Sequence, residues 1–256
     1  MILRFLLIYS LTFLLLQGLG GKGGIGGTAG IGGGPPSTSV AFDVAGAGTS
    51  GSGVSSLTAA HTVTNAIVNA VVVALAGLDN GANDVTGCTF NGTSMTQMWN
   101  LRETALNGYR SVGFILAVGT GDGVAHNVVC SFTNTNGQSA LITESLSGVN
   151  QSTPNRSAFT ASLTGGGASG CNIAGSISLT VSNAVAGDIV VDELTINHQT
   201  SLASTQTLVK SFLNIGGNNT SVLGSRASAI GSTNMGYTFP TSPEQCGAIG
   251  AAAIRP

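Results

Sequence analysis

Charge is what this sequence has least of. Only 7% of its 256 residues are Asp, Glu, Lys or Arg, against roughly 25% in ordinary soluble domains. There are eight Lys and Arg in all, two of them, Arg4 and Lys22, lie in the first stretch of the chain, and no basic cluster occurs anywhere. Nucleic-acid binding draws most of its affinity from phosphate neutralisation, so that partner class is excluded, and so is electrostatic attachment to anionic lipid. Aromatics are 5%, with Trp99 the only tryptophan. A single Trp in a strand pattern reads as a core anchor before it reads as a stacking surface, with Tyr109 and Tyr237 far away in sequence. The four cysteines, Cys88, Cys130, Cys171 and Cys246, include no C-x-x-C pair, so clustered thiolates for a metal are missing.

Also missing beyond the first residues is any sustained 3.6-residue apolar stripe, which excludes alternating βαβ units. What the chain does have is 42% hydrophobic residues, enough to fold rather than stay disordered. They recur with period two. Val40, Phe42 and Val44 alternate with Ala41 and Asp43; Leu57, Ala59, His61 and Val63 alternate with Thr and Ala; Ile177, Leu179 and Val181 alternate with Ser178 and Thr180. These are half-buried strands. The runs 68–78 (VNAVVVALAGL), 113–118 (GFILAV) and 187–196 (GDIVVDELTI) are apolar more continuously, as strands covered on both faces are. Between them sit DNGAND, GTGDG, TGGGASG and IGGNNT, which is turn chemistry. The expected fold is all-β, an antiparallel β-sandwich.

Three segments are expected. Residues 1–20 hold Arg4, an apolar block from Phe5 to Leu16, and small residues at Gly18 and Gly20, the layout of a secretory signal peptide; kept instead of cleaved, residues 5–16 are a membrane or packing anchor. Residues 21–36 are Gly-rich and close on Pro35-Pro36, a linker. Residues 37–256 are the sandwich. In an exported chain the four cysteines form two disulfides, with three pairings open; buried free thiols are the other reading.

Gly46, Gly48 and Gly51 satisfy G-x-G-x-x-G after a strand. A dinucleotide fingerprint also needs a helix at the third glycine and an acid about 20 residues on. A strand pattern follows instead, and no Asp or Glu lies between Asp43 and Asp79. Gly46 to Ser52 is therefore expected to be a loop between two antiparallel strands, with no cofactor.

Candidate chemistry is sparse. No G-x-S-x-G elbow occurs, and His61, His126 and His198 fall in unrelated contexts. His61 is in register with Leu57, Ala59 and Val63 and is expected to be buried and hydrogen-bonded; His126 starts a strand. Asp192 and Glu193 are neighbours in a strand and point to opposite faces. Glu103, Glu144 and Glu244 are isolated in sequence. Asp79, Asn83 and Asp84 offer oxygens but not at EF-hand spacing, and a solvated turn is expected there. No nucleophile, base or metal set falls in mutual range, so no enzyme activity, catalytic residue or metal site is assigned. Sequons at Asn91, Asn150, Asn155, Asn218 and Asn219 matter only if the source glycosylates.

AAHTV at 59–63, AVVVAL from Ala70, VTGCTFNGTSMTQM at 85–98, SGVNQSTP at 147–154, GDIVVDE at 187–193 and the closing AAAIRP occur in that order. The ordered set resembles a widespread β-sandwich module of bacterial secreted and surface proteins and of tailed-phage virion proteins, whose pattern runs roughly S-H-T-V, N-R-L-L-V-V-G-V, V-T-Y-G-G, S-G-V-D-Q-T-T-P, G-D-L-V-V and E-I-R-P. The resemblance spans about Ser37 to Pro256 and implies a jelly-roll-like sandwich without catalytic residues to carry over. It implies a structural or attachment protein on an extracellular surface: a phage virion component or, alternatively, a secreted bacterial adhesion or ligand-binding module. Oligomerisation with sister subunits, or contact with a host-surface receptor, is the expected partnership.

Overall fold

The computed structural model describes residues 38–79, 83–103, 108–135, 137–163, 175–197, 202–217, 219–240 and 246–256. The N-terminal segment and its Gly-rich continuation lie outside these residues, as do Cys171, His198, Asn218 and Glu244. The described residues are all-β, without a helix, and the strands pair antiparallel throughout.

In chain order the strands are β1 (Ala41–Ala45), β2 (Thr49–Ser52), β3 (Ser56–Thr62), β4 (Ala70–Leu78), β5 (Val85–Phe90), β6 (Thr93–Ser94), β7 (Thr96–Arg102), β8 (Arg110–Gly119), β9 (Ala125–Phe132) and β10 (Gln138–Ser147). They continue with β11 (Phe159–Leu163), β12 (Ser176–Val181), β13 (Ile189–Asn197), β14 (Ala203–Ser204), β15 (Thr207–Ile215), β16 (Thr220–Ser228), β17 (Thr233–Thr238) and β18 (Gly247–Ile254).

The ladders repeat. One sheet runs β1-β10-β4-β8-β7, with β2 also on β10, and another runs β11-β18-β13-β16-β15. In each, a strand buried along its whole length, β4, or up to its last residue, β13, sits at the centre. Each of these sheets is covered on one face by a smaller one: β3-β9-β5-β6 over the first, β12-β17-β14 over the second. Their free faces pack on each other, so Val71, Val73 and Leu75 of β4 share a core with Val191 of β13, Val222 of β16 and Ile254 of β18. The body is two sandwiches of the same strand order, stacked back to back in four layers. The single sandwich expected from the strand pattern is thus present twice. Valine-rich β4 and β13 have apolar residues on both faces because each serves an outer core and the shared inner one.

Backbone bonds join the two sandwiches at their ends. Val40 N donates to Gly187 O, and Asn150 N to Arg255 O, which joins the start of β1 and the exit of β10 in the first sandwich to the start of β13 and the exit of β18 in the second. The connection between the sandwiches is locked by Arg156, whose guanidinium holds the buried Asp188 carboxylate at 2.7 Å.

The glycines after Val44 correct one expectation. They do not turn the chain back: β1 and β2 run in the same direction along β10, Ala41 opposite Ser147 and Ser52 opposite Gln138. Gly46 to Gly48 is a kink in one edge strand. Gly46 passes so close to Thr143 and His61 that a Cβ would collide with both, and Gly48 has φ of +64°, a backbone region that favours glycine. A second expectation also changes: Phe42 is 38% exposed, because a bulge between Phe42 and Val44 breaks the simple alternation.

Candidate functional site

The polar side chains gather in three places, and two of these are structural. The first is the shared inner core and its flank. Asp192 and Glu193, adjacent on β13, do point apart. Asp192 turns toward the second outer sheet, where it accepts from the Tyr237 hydroxyl at 2.9 Å, from Ser225 N at 3.0 Å and from the Ser225 hydroxyl. Glu193 turns inward beside Gly77, and the Thr195 hydroxyl donates to it. Glu144 on β10 also reaches this inner layer, with Arg226 Nη1 at 3.5 Å and no hydrogen bond to either oxygen. Burial pushes the acids of Asp192 and Glu144 up to about 7 and that of Glu193 well above the usual range, because removing the charged form from water is costly. Hydrogen bonds to Asp192 and the Arg226 charge near Glu144 oppose the rise without cancelling it. Sequence reading kept these acids separate, and the ladders show why they cannot work as a pair.

The second is the end of the body that carries Asp79, Asn83 and Asp84. The solvated turn expected there is instead a hydrogen-bonded network. Asn83 is 4% exposed, and its Oδ1 accepts from Thr133 Oγ1 at 3.1 Å and from Asn134 N at 3.0 Å. Asp84 takes Asn100 Nδ2 at 3.0 Å and Arg110 Nη1 at 3.2 Å. Asp79 accepts from Gln138 N and Thr220 Oγ1, both at 2.6 Å, and so ties the two sandwiches together. Every oxygen set there is engaged in holding loops. Among the described residues no group of three metal-ligating side chains converges.

The third place is a cleft of about 300 Å³ at the end of the first sandwich, where its two sheets part. It is the candidate site. His61 and His126 are directly opposite on β3 and β9, a pairing that sequence could not place because it depends on the ladder. Both face inward, and Phe90 of β5 stands edge-on to each, its centroid 6.3 Å from His61 and 5.6 Å from His126. His61 is 1% exposed. Its Nδ1 is 3.2 Å from Thr143 Oγ1, while its Nε2 has no hydrogen-bond partner. Burial lowers its pKa to about 4, against a weaker opposing pull from Asp43, so it is neutral at pH 7. Asp43 is engaged elsewhere. Burial works against its charge, but Thr64 and Ser145 hydrogen bonds prevail and keep its carboxyl below the usual value.

His126 is different in kind. It opens into the cleft and its Nε2 is 2.7 Å from Asp122 Oδ2. The His126 hydrogen bond, with Val124 N on the other oxygen, holds the Asp122 carboxyl below its usual value. The loop bearing Asp122 is pinned by Ala66 N on Gly121 O, Gly121 N on Ile67 O, and Gly123 N on Val63 O. A Cβ at Gly121 would run into Thr64 O, so the fit of this loop depends on glycine. Across the cleft, Asn91 and Gly92 have φ of 49° and 76°, the left-handed pair of a tight hairpin turn, and Asn91 N is fixed to Asn127 O. The turn chemistry of GTGDG at 119–123, which holds Gly121 and Asp122, is the signal in sequence that marks this rim.

Trp99 is 4% exposed in the inner core, an anchor as expected. Cys88 and Cys130 lie opposite each other on β5 and β9 and form a buried disulfide, and Cys246 is disulfide-bonded as well. Comparison with protein-family models, with curated proteins and with solved structures returns no match.

Proposed function

We propose that this protein is a non-enzymatic structural or attachment protein displayed on an extracellular surface, as a component of a phage virion in its capsid, decoration or tail and fibre layer. The observation that carries the reading is the doubled, disulfide-bonded sandwich. Disulfides persist in oxidising surroundings, and the cross-strand bridge of Cys88 and Cys130 suits a part that must survive outside a cell. Acids that a hydrolase would aim at a substrate are spent internally: Asp192 on Tyr237 and Ser225, Asp188 on Arg156, Asp79 on Gln138 and Thr220. The ordered motifs that resemble those of phage and surface modules point the same way.

Four packed layers with neutral, Ser- and Thr-rich outer faces suit a building block that meets sister subunits or a receptor through its loops. Residues 5–16, if kept, supply a membrane or packing anchor. The cleft beside His126 favours a second reading, a secreted bacterial ligand-binding module. Mass spectrometry of purified particles and of culture supernatant separates the two. Full-length chain in particles supports the virion; a chain lacking about the first twenty residues, free in the medium, supports bacterial export. Recovery only from cytosol, with reduced cysteines, overturns both.

A further inference from the structure

The repeat supplies an internal control for the cleft. His61 and His126 face each other across β3 and β9; the matching inward pair across β12 and β17 is Val181 and Thr233, with Val181 wholly buried. The same architecture therefore closes with a valine and a threonine, and two histidines are not what the sandwich needs to stand. Only the first sandwich adds an aspartate hydrogen-bonded to the second of these histidines, and both line the cleft.

We propose that the cleft binds one ring of a neutral saccharide. Its polar groups, Asn91, Thr93, Thr120, Asp122 and His126, mix donors and acceptors, as hydroxyl groups that both give and take hydrogen bonds require. Phe90, Leu116 and Val118 form an apolar wall for the C–H face of a sugar ring. No Lys or Arg lines it and Asp122 is a carboxylate, so phosphate, sulfate and uronic acids are repelled. At about 300 Å³ it falls at the small end of ligand pockets, which run from roughly 300 to 1,000 Å³. The pinned loop and the hairpin turn hold these groups in place before binding, which lowers the ordering cost.

The biological purpose of such a site rests on the attachment reading; the binding itself does not. Two-dimensional NMR of the full chain, titrated with neutral hexoses, N-acetylhexosamines and their short oligomers, is the test, with glucuronate and inorganic phosphate as counter-probes. At least one neutral sugar should move the amide resonances of Asn91, Asp122 and His126 at millimolar concentration. Asp122→Asn and Thr93→Val should each weaken it about tenfold, and Thr233→Ala in the second sandwich should leave it unchanged. Shifts with phosphate or glucuronate and not with neutral sugars, shifts from none of the probes, or neutral-sugar binding indifferent to both cleft variants would overturn the proposal. Loss of binding in a variant whose spectrum remains dispersed separates a cleft effect from unfolding. Location of the protein in particles or medium is measured independently, so failure here leaves the surface reading standing.

Discussion

The indole of Trp99, carried by β7 of the first sandwich, fills the space above Gly250 on β18 of the second, where any Cβ would collide with it. The indole N–H donates to Ser111 Oγ at 3.0 Å, and that hydroxyl donates in turn to the Glu193 carbonyl at 3.0 Å. Gly113 gives way to the same ring from its own sheet. One large side chain and two residues without any thus set how closely the sandwiches approach.

Gly250→Ala should therefore destabilise the body by overpacking, by about 1–3 kcal/mol, and Trp99→Ala by about 3–5 kcal/mol through the cavity it leaves. The two share one space, so the double variant should cost less than the sum. Urea denaturation of all three checks this; additive losses would mean that the ring and the glycine do not meet.

Stability contributed by two buried acids should fall as pH rises from about 4 to about 7. Asp192 and Glu144 have folded values of about 7 against unfolded values near 4. The folded state holds their protons longer, so the stability they contribute is complete below about pH 4 and is lost as pH passes 7. His61 runs the other way. Its folded value of about 4 lies below the unfolded 6.5, so its contribution is complete above pH 6.5 and is lost on acidification. Thermal melting across pH 4–8 should show Asp192→Asn reducing the decline between about pH 4 and 7 and His61→Gln, which removes the opposing contribution, steepening it. An unaltered profile in Asp192→Asn would place the titration elsewhere.

Replacing both Cys88 and Cys130 by Ala should cost about 4 kcal/mol, the chain-entropy value for a loop of 42 residues. The change should appear as a lower Tm under non-reducing conditions and should shrink when wild type is measured with reductant.

Arg156→Met leaves the buried Asp188 carboxylate without its cation. A loss of about 3 kcal/mol is expected at neutral pH, with proteolysis beginning in the connection between β10 and β11. A variant as stable as the parent would show that the connection is held by its backbone bonds alone.

A chain beginning at Ser37 should give the same four-sheet body, because the ladders begin at Ala41. Circular dichroism and the NMR dispersion of the shortened chain check it; aggregation would assign the preceding residues to the core.

Much of this was present in one dimension. Period two over Leu57, Ala59 and His61, and again over Ile177, Leu179 and Val181, gave half-buried strands because a pleat sends alternate side chains to opposite faces; continuous valines gave β4 and β13. The same parity puts Asp192 and Glu193 on different faces, and GTGDG marks a turn through its glycines. Partnership across the ladders was not legible. Pairing joins residues far apart in the chain, so only folding could place His61 opposite His126, Cys88 opposite Cys130, and Asp79 against Thr220. The doubling is hidden in the sequence for a related reason: a sandwich asks each position only for a buried or exposed side chain of suitable volume. Leu75 and Glu193 can hold the same place in two central strands, each opposite a glycine, Gly113 or Gly224, and leave no common letter. The sequence by itself determined strands, faces and turns, which are local consequences of side-chain alternation and backbone φ. The tertiary structure decided which faces meet, and with them the buried acids, the glycine-lined contact of the two sandwiches and the cleft.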